Sequence, residues 1–242
     1  MTELIQQTDF QILDWIQANL RTPWLDWLMP KITFLCESGW FWIVLTIVLL
    51  IWKRHRKCGW GMFTALILSL LIGNLLLKHA VARPRPCWIN TDIDMLVAIP
   101  KDFSFPSGHS MASFASATVL MTYDRRAGIP ALILSALIAF SRLYLYVHFP
   151  TDVLVGTVLG IVMGLIAPRI VEAIQEKCAG KGKTGKSEMT TNTPPDHTFP
   201  LNCCDREAAA LLNISALQRL FQARVWLPAY SKNILIIIKK NC

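Results

Sequence analysis

The chain has 242 residues, of which 53% are hydrophobic and only 17% charged, a balance that predicts a membrane protein rather than a soluble globular one. The net charge of +8 is not gathered into a continuous basic groove, so we expect no nucleic-acid partner. The 7 cysteines include no paired C-x-x-C spacing, which argues against a zinc site or a disulfide framework and predicts free thiols.

The first 35 residues mix apolar positions with acids and amides at helical spacing. Three tryptophans, Trp15, Trp24 and Trp27, suit a membrane interface, so we predict a helix that lies on the outer surface of the membrane. A signal peptide is disfavoured because Glu3 and Asp9 stand where a basic start and an apolar stretch would be needed. Four charges within residues 10–35 disfavour the alternative that this segment spans the membrane.

Five apolar runs follow, at residues 40–52, 59–77, 110–122, 129–147 and 153–167. Two of them approach the roughly 20 residues that cross a bilayer, and the other three need flanking residues to do so. Buried helices of a soluble protein are the alternative, but so short a chain has too little polar surface to cover them. The predicted fold is therefore an all-α integral membrane bundle of about five transmembrane helices plus the N-terminal interfacial helix.

Basic residues cluster at 53–57, at 125–126 and from 169 to 186. The positive-inside rule places these clusters on the cytoplasmic side, so the loops at 78–107 and 146–152 face outward. Glycines at 156, 160 and 164 recur every fourth residue in the last run, a pattern that lets two helices pack closely. We predict a multi-pass protein of the plasma membrane with its functional loops outside.

From residue 179 the composition shifts to Gly, Lys, Ser, Thr and Pro, which predicts a largely disordered cytoplasmic tail over 179–242. Leucines and arginines between 206 and 225 are compatible with a basic amphipathic helix on the inner leaflet. The membrane domain is accordingly residues 1–178.

Three segments with polar and charged residues lie at the outward ends of the predicted spans. They are 78–86, 106–109 and 141–152, and they bring Lys78, Arg85 and Arg142 next to apolar runs. Charged groups at membrane depth usually mark a functional site. Three cations without matching acids predict that this site binds an anion.

His148 and Asp152 are spaced i and i+4, which puts them on one helix face if the backbone there is helical. The carboxylate could then accept from one imidazole nitrogen and present the other as a nucleophile or base. An aspartate at a helix start beside an already satisfied histidine is an equally good explanation of this pair alone.

The tetrapeptide Pro106-Ser107-Gly108-His109 comes just before an apolar run. A serine hydroxyl, free N–H groups and a glycine at a helix start suit a phosphate, and His109 beside them could protonate a departing oxygen. On its own the tetrapeptide is better explained as a helix cap.

Arg83-Pro84-Arg85-Pro86 is predicted to be extended, because each proline fixes its own φ and restricts the preceding residue. Arg85 can offer a fork to two phosphate oxygens while Lys78 supplies a point charge. For Arg83 we favour a contact with lipid headgroups.

Together the three segments resemble the type 2 phosphatidic acid phosphatase superfamily, whose pattern is K-x6-R-P, then P-S-G-H, then S-R-x5-H-x3-D. Every position matches here, and the resemblance covers about residues 10–175. It implies that His148 attacks phosphorus, that Asp152 orients it and that His109 protonates the leaving group. It also implies that the phosphoryl oxygens are bound by Lys78, Arg85, Ser107, Gly108 and Arg142, with no metal ion and no cofactor.

The resemblance implies a membrane lipid phosphate or diphosphate as substrate, and undecaprenyl diphosphate is favoured because the site faces outward and the loops are short. Phosphatidylglycerophosphate and phosphatidic acid are alternatives within the family, whereas the related haloperoxidases are soluble. Many bacterial members have six spans and this chain has about five. A silent lipid-binding or scaffolding protein and a lipid transporter are the alternatives from other classes, and the sequence is silent on oligomeric state.

Overall fold

The computed structural model describes residues 2–181, in which all regular secondary structure is helical. Contacts divide the chain into a unit Met1–Ile174, which holds the elements described below except the end of the last helix, and a unit Gln175–Cys242. The last described helix ends at Lys181, shortly past the predicted start of the tail at residue 179. The rest of the predicted tail, with its amphipathic helix, lies outside the described residues.

The N-terminal segment forms two helices, α1 (Thr2–Leu20) and α2 (Pro23–Phe34), where the sequence predicts one. The break has a local cause, because Thr22 is extended, accepts a hydrogen bond from the Leu25 N–H and is followed by a proline at the first helical position. Helix α1 is held by its Leu13, which is fully buried, and by Phe10, whose ring meets the ring of Phe149 edge to face at 5.1 Å.

The next elements lead to the first motif. Helix α3 (Trp40–Ile51) is followed by α4 (Arg56–Leu68), which passes without a break into a π-helical segment (Ser69–Leu77) and then into α5 (Lys78–Val81). After α5 the chain turns at Ala82, which has a left-handed backbone, and residues 83–85 connect to the single turn α6 (Pro86–Ile89) without regular secondary structure. Arg85 is extended, as the Arg-Pro-Arg-Pro sequence predicts.

The last three helices are α7 (Gly108–Tyr123), α8 (Arg125–Tyr144) and α9 (Pro150–Lys181). Helix α7 lies at the centre of the first unit and packs against α3, α4 and α8. It also lies directly on α9, where a Cβ at Gly156, Gly160 or Gly164 would come within 2.7 Å of a backbone oxygen of residues 107–115. The close helix packing predicted from the glycine spacing is therefore confirmed.

Three stretches of the described chain are long and apolar enough to cross a membrane: Lys53–Ile89, Arg125–Tyr144 and Pro150–Lys177. Helix α3 is apolar but has 12 residues, a length of about 18 Å at the usual helical rise. Helix α7 has 16 residues and buries serine, threonine and alanine against its neighbours. An all-helical fold with membrane-spanning helices is thus confirmed at this coarser level.

Candidate active site

The three predicted segments meet where α5 ends and where α7 and α9 begin. The Ser107 N–H donates to the backbone oxygen of Asp152 at 3.1 Å, which fixes the start of α7 against the start of α9. The glycine at 156 permits this contact, because a Cβ there would lie 2.7 Å from the Ser107 oxygen. Residues far apart in sequence are thereby brought to one end of the helices.

His148 lies between α8 and α9 and is only 1% exposed. Its Nε2 is 3.1 Å from Arg85 Nη1, and its Nδ1 is 3.4 Å from Ser104 Oγ. An arginine can only donate, so Nε2 must carry the lone pair and Nδ1 the hydrogen when the ring is neutral. The nitrogen of His148 that carries the lone pair therefore faces the guanidinium of Arg85.

Asp152 is fully buried in the first turn of α9, but its contact with His148 differs from the prediction. His148 precedes the helix, and its Nδ1 is 3.9 Å from Asp152 Oδ2, which is too long for a hydrogen bond. Ser104 bridges the two residues, because its hydroxyl also hydrogen-bonds Asp152 Oδ2. The Phe149 N–H donates to the same oxygen at 3.1 Å and fixes the carboxylate.

Lys78 and Arg85, two of the three predicted anion-binding cations, share an acid that we did not predict. The carboxylate of Asp102 pairs with Lys78 and accepts from Arg85 Nη2 at 2.8 Å, and the Asp102 backbone oxygen accepts from Arg85 Nε at 2.7 Å. The expectation of three cations without matching acids was therefore wrong. Asp102 had no signal in the sequence, because it lies in the loop between two motifs.

Arg142 is the third predicted anion-binding cation, and within the described residues it forms no ion pair with Asp102. Its Nη1 donates to Thr33 Oγ1 of α2 at 2.6 Å, while its Nε is buried without a hydrogen-bond partner among residues 2–181. A buried N–H without an acceptor is costly, and a phosphoryl oxygen would satisfy it.

These charges set the ionisation of the groups between them. Burial opposes ionisation of Asp102, but Arg85 and Lys78 outweigh it and hold the pKa of this carboxyl well below its usual range. Burial also lowers the pKa of His148 far below that of a free histidine, and the neighbouring Arg85, Arg142 and Lys78 lower it further. The neutral form of the His148 ring is therefore favoured at physiological pH.

Ser107 is the N-cap of α7, as the tetrapeptide predicts. Its Oγ accepts from the Ser110 N–H at 3.4 Å and from the Ser110 hydroxyl at 3.0 Å, so its own hydrogen can be donated to a phosphoryl oxygen. The glycine at 108 is needed for space, because a Cβ there would lie 2.9 Å from Asn74 Oδ1. That oxygen is buried and has no hydrogen-bond donor within residues 2–181.

His109 lies half-buried in the first turn of α7. Its ring interacts electrostatically with Arg142, His148, Lys78 and Arg85, so it belongs to the same site as the other predicted residues. The structure thus brings together all eight residues singled out from the sequence, and it adds Ser104 and Asp102.

Arg83 differs from the expectation of a headgroup contact. Its guanidinium donates to Asp152 Oδ1 at 2.6 Å and to Asp9 Oδ2 of α1 at 2.7 Å. Arg83 and Asp9 were thus missed, since no feature of the sequence relates an acid of the N-terminal helix to the motifs.

Comparison with known proteins identifies relatives of the chain. The model of the PAP2 superfamily matches residues 59–176. An undecaprenyl-diphosphatase of Sulfolobus acidocaldarius is 35% identical over 130 residues, which are 52% of this chain and 63% of the relative. Phosphatidylglycerophosphatase B of Bacillus subtilis is 30% identical over 186 residues, which are 72% of this chain and 88% of the relative.

The crystal structure of Aquifex aeolicus LpxE superimposes with a TM-score of 0.59 at 29% identity, covering 66% of this chain and 94% of that one. The long apolar helices and these relatives together place the chain among the membrane phosphatases. The chain belongs to the PAP2 superfamily.

Proposed function

We propose that the chain hydrolyses undecaprenyl diphosphate to undecaprenyl phosphate through a phosphohistidine on His148, without a metal ion. The observation that carries the proposal is the orientation of the buried ring, whose Nε2 faces Arg85 while Nδ1 points to Ser104. A neutral imidazole held in one tautomer beside a fixed cation suits attack on an anionic phosphorus.

In the first step Nε2 forms a bond to the terminal phosphorus and the bond from phosphorus to the bridging oxygen breaks. His109, which can be protonated once the anionic diphosphate offsets the charges of Lys78, Arg85 and Arg142, gives its hydrogen to that oxygen, so the lipid monophosphate leaves. The phosphorylated ring is a cation, which the Ser104–Asp152 pair stabilises through Nδ1–H.

In the second step water attacks the phosphohistidine, and neutral His109 takes the proton from that water. The bond between Nε2 and phosphorus breaks, inorganic phosphate forms and the ring returns to its starting state. Because the nonbridging oxygens are negative in both steps, Lys78, Arg85 and Arg142 stabilise both transition states. The hydroxyl of Ser107 and the N–H groups at the start of α7, including that of Gly108, add hydrogen bonds.

The donor set supports a reaction without metal. Within residues 2–181 no three His, Cys, Asp or Glu side chains are grouped so that they could hold a metal ion. Three cations already occupy the positions around the proposed phosphate, where a metal-dependent phosphatase needs carboxylate or histidine ligands.

The substrate and the orientation are supported by the sequence and by relatives. Helices α3 and α7 together with the three longer stretches give the five spans of the proposed bundle, and the basic clusters orient the site outward. The relative from Sulfolobus acidocaldarius is an undecaprenyl-diphosphatase. A diphosphate in the outer leaflet would present its terminal phosphate to this site.

The test is phosphate release by purified protein in detergent with excess chelator. Undecaprenyl diphosphate, phosphatidylglycerophosphate and phosphatidic acid are offered separately, and we expect the highest kcat/KM for the first. A preference for phosphatidylglycerophosphate would overturn the proposed substrate but would leave the proposed mechanism intact. Turnover that requires added magnesium would refute the mechanism, and a protein that binds these lipids without turnover would be a scaffold or carrier.

A further inference from the structure

A buried chain of charges connects the N-terminal helix to the proposed nucleophile. Asp9 of α1 is 2% exposed and accepts from Arg83 Nη2 at 2.7 Å. Arg83 Nη1 in turn donates to Asp152 Oδ1 at 2.6 Å. Since Asp152 is fully buried, the three side chains form one ion network that is largely withdrawn from solvent.

The network is held in place on several sides. Asp9 also accepts from the Thr151 hydroxyl at 2.6 Å and from the Thr151 N–H at 3.1 Å, so α1 is bonded directly to the first turn of α9. Arg83 also donates to the Thr151 hydroxyl at 2.7 Å, and its guanidinium carbon lies 4.0 Å from the centre of the Phe149 ring. Arg83 therefore has one defined position beside Asp152.

The charges of the network act on His148 in addition to those of Arg85, Arg142 and Lys78. Arg83 alone would cancel the charge of Asp152 and remove most of its attraction for a phosphorylated, cationic ring. Asp9 shares the guanidinium, so the ion-paired trio of Asp9, Arg83 and Asp152 carries two negative charges and one positive charge. The difference in charge between a neutral Arg83–Asp152 pair and the negatively charged trio has a larger effect on His148 than it would have in water, because the surroundings of buried groups are less polar.

We infer that Asp9 and Arg83 are positioning residues of the reaction, and that α1 completes the active site by keeping one negative charge behind His148. Asp9 lies outside residues 59–176, the range that the family model matches. The inference rests on the proposed role of His148 as nucleophile and deepens it, because it assigns to the N-terminal helix a part in stabilising the intermediate.

Two substitutions change the net charge of the trio in opposite directions. Asp9→Asn makes it neutral, and we expect kcat to fall on the order of ten- to a hundredfold, as when outer hydrogen-bond partners of metal-ligating side chains are removed. KM should stay close to that of the wild type, because Asp9 contacts none of the three cations proposed to bind phosphate. Arg83→Gln leaves two buried carboxylates without their cation, and we expect a larger loss.

The decisive measurement is the double variant Asp9→Asn/Arg83→Gln, in which the trio again carries a single negative charge. We expect its kcat to exceed that of Arg83→Gln alone, a recovery of turnover that independent losses at the two positions would not give. Asp14→Asn is the matched control on α1, because Asp14 accepts from the Tyr146 hydroxyl at 2.8 Å and does not touch Arg83. It should leave kcat unchanged.

The variants are assayed as full-length protein in detergent, by phosphate release from a lipid diphosphate and from an aryl phosphate. An unchanged kcat for Asp9→Asn would overturn the inference while leaving the proposed function intact. A double variant slower than both single variants would overturn it too. A wild-type protein that releases no phosphate from either substrate would overturn the proposed function and this inference together.

Discussion

Asp102 forms ion pairs with Lys78 and Arg85, two of the three cations that the proposed mechanism assigns to phosphate. Removing the charge of Asp102 should therefore strengthen phosphate binding. Its carboxylate pairs with Lys78 and Arg85 and must release both before a phosphoryl group can take its place. In Asp102→Asn the charge is lost, but the backbone oxygen that accepts from Arg85 Nε is kept. Arg85 should therefore stay in position, while its Nη2, which donates to the Asp102 carboxylate in the wild type, becomes available to bind phosphate.

The size of the expected gain in phosphate affinity follows from the solvent exposure of the Asp102 carboxylate. The Asp102 side chain is 54% exposed, so each of its two ion pairs belongs with surface pairs, which contribute about 0.2–1 kcal/mol. Two such pairs together amount to about 1 kcal/mol, or roughly a fivefold change in Kd. Because the pKa of Asp102 is well below its usual range, the gain in phosphate affinity should persist when the pH is lowered to about 5.

The assay is calorimetric titration of inorganic phosphate into the purified protein, supported by the inhibition constant of phosphate against lipid hydrolysis. Asp92→Asn is the matched control, because Asp92 is exposed in the same loop and its substitution removes the same charge away from the site. We expect a tighter Kd for Asp102→Asn and no change for the control. Weaker phosphate binding by Asp102→Asn would refute the argument and make Asp102 a residue that holds the cations for the substrate.

Further outcomes concern catalysis, packing and topology. His148→Ala should abolish turnover of every substrate, whereas His109→Ala should slow a lipid substrate by roughly 10²–10⁴-fold and an activated aryl phosphate far less; the reverse pattern would exchange the two roles. Gly160→Ala places a Cβ 2.5 Å from an α7 backbone oxygen, so thermal unfolding in detergent should show a loss of about 1–3 kcal/mol, and an unchanged midpoint would contradict the packing. Single cysteines near Asn90 and Arg125, in a chain without its own cysteines, should react with an impermeant reagent in intact cells at the first position alone.

The place of the site could be predicted because its residues lie at the ends of apolar runs. Alternation of the spans puts 78–86, 106–109 and 141–152 on one side of the membrane, and the structure brings them together as expected. Packing could also be predicted in part, since the glycines of α9 have a spacing with a direct steric meaning.

The contacts within the site could not be predicted, because they depend on segments without a pattern of their own. Asp9 and Arg83 are separated by 74 residues, and only the orientation of α1 makes them partners. The position of Ser104 between His148 and Asp152 likewise depends on the path of a loop. An i,i+4 spacing alone suggested a direct bond, which would have required the helix to begin before His148, whereas α9 begins at Pro150.

The direct contact between α7 and α9 also limits how a lipid can approach. The α7 backbone lies so close to Gly156, Gly160 and Gly164 of α9 that not even a Cβ fits there, so an acyl or isoprenoid chain has no room to pass between the two helices. The opposite side of α9 is exposed and apolar, with residues such as Leu154 at 63% and Val158 at 52%, and suits contact with bilayer chains. The headgroup of the proposed lipid substrate therefore has to reach His148 by a path that does not run between α7 and α9. The residues that line this path will lie on other helices.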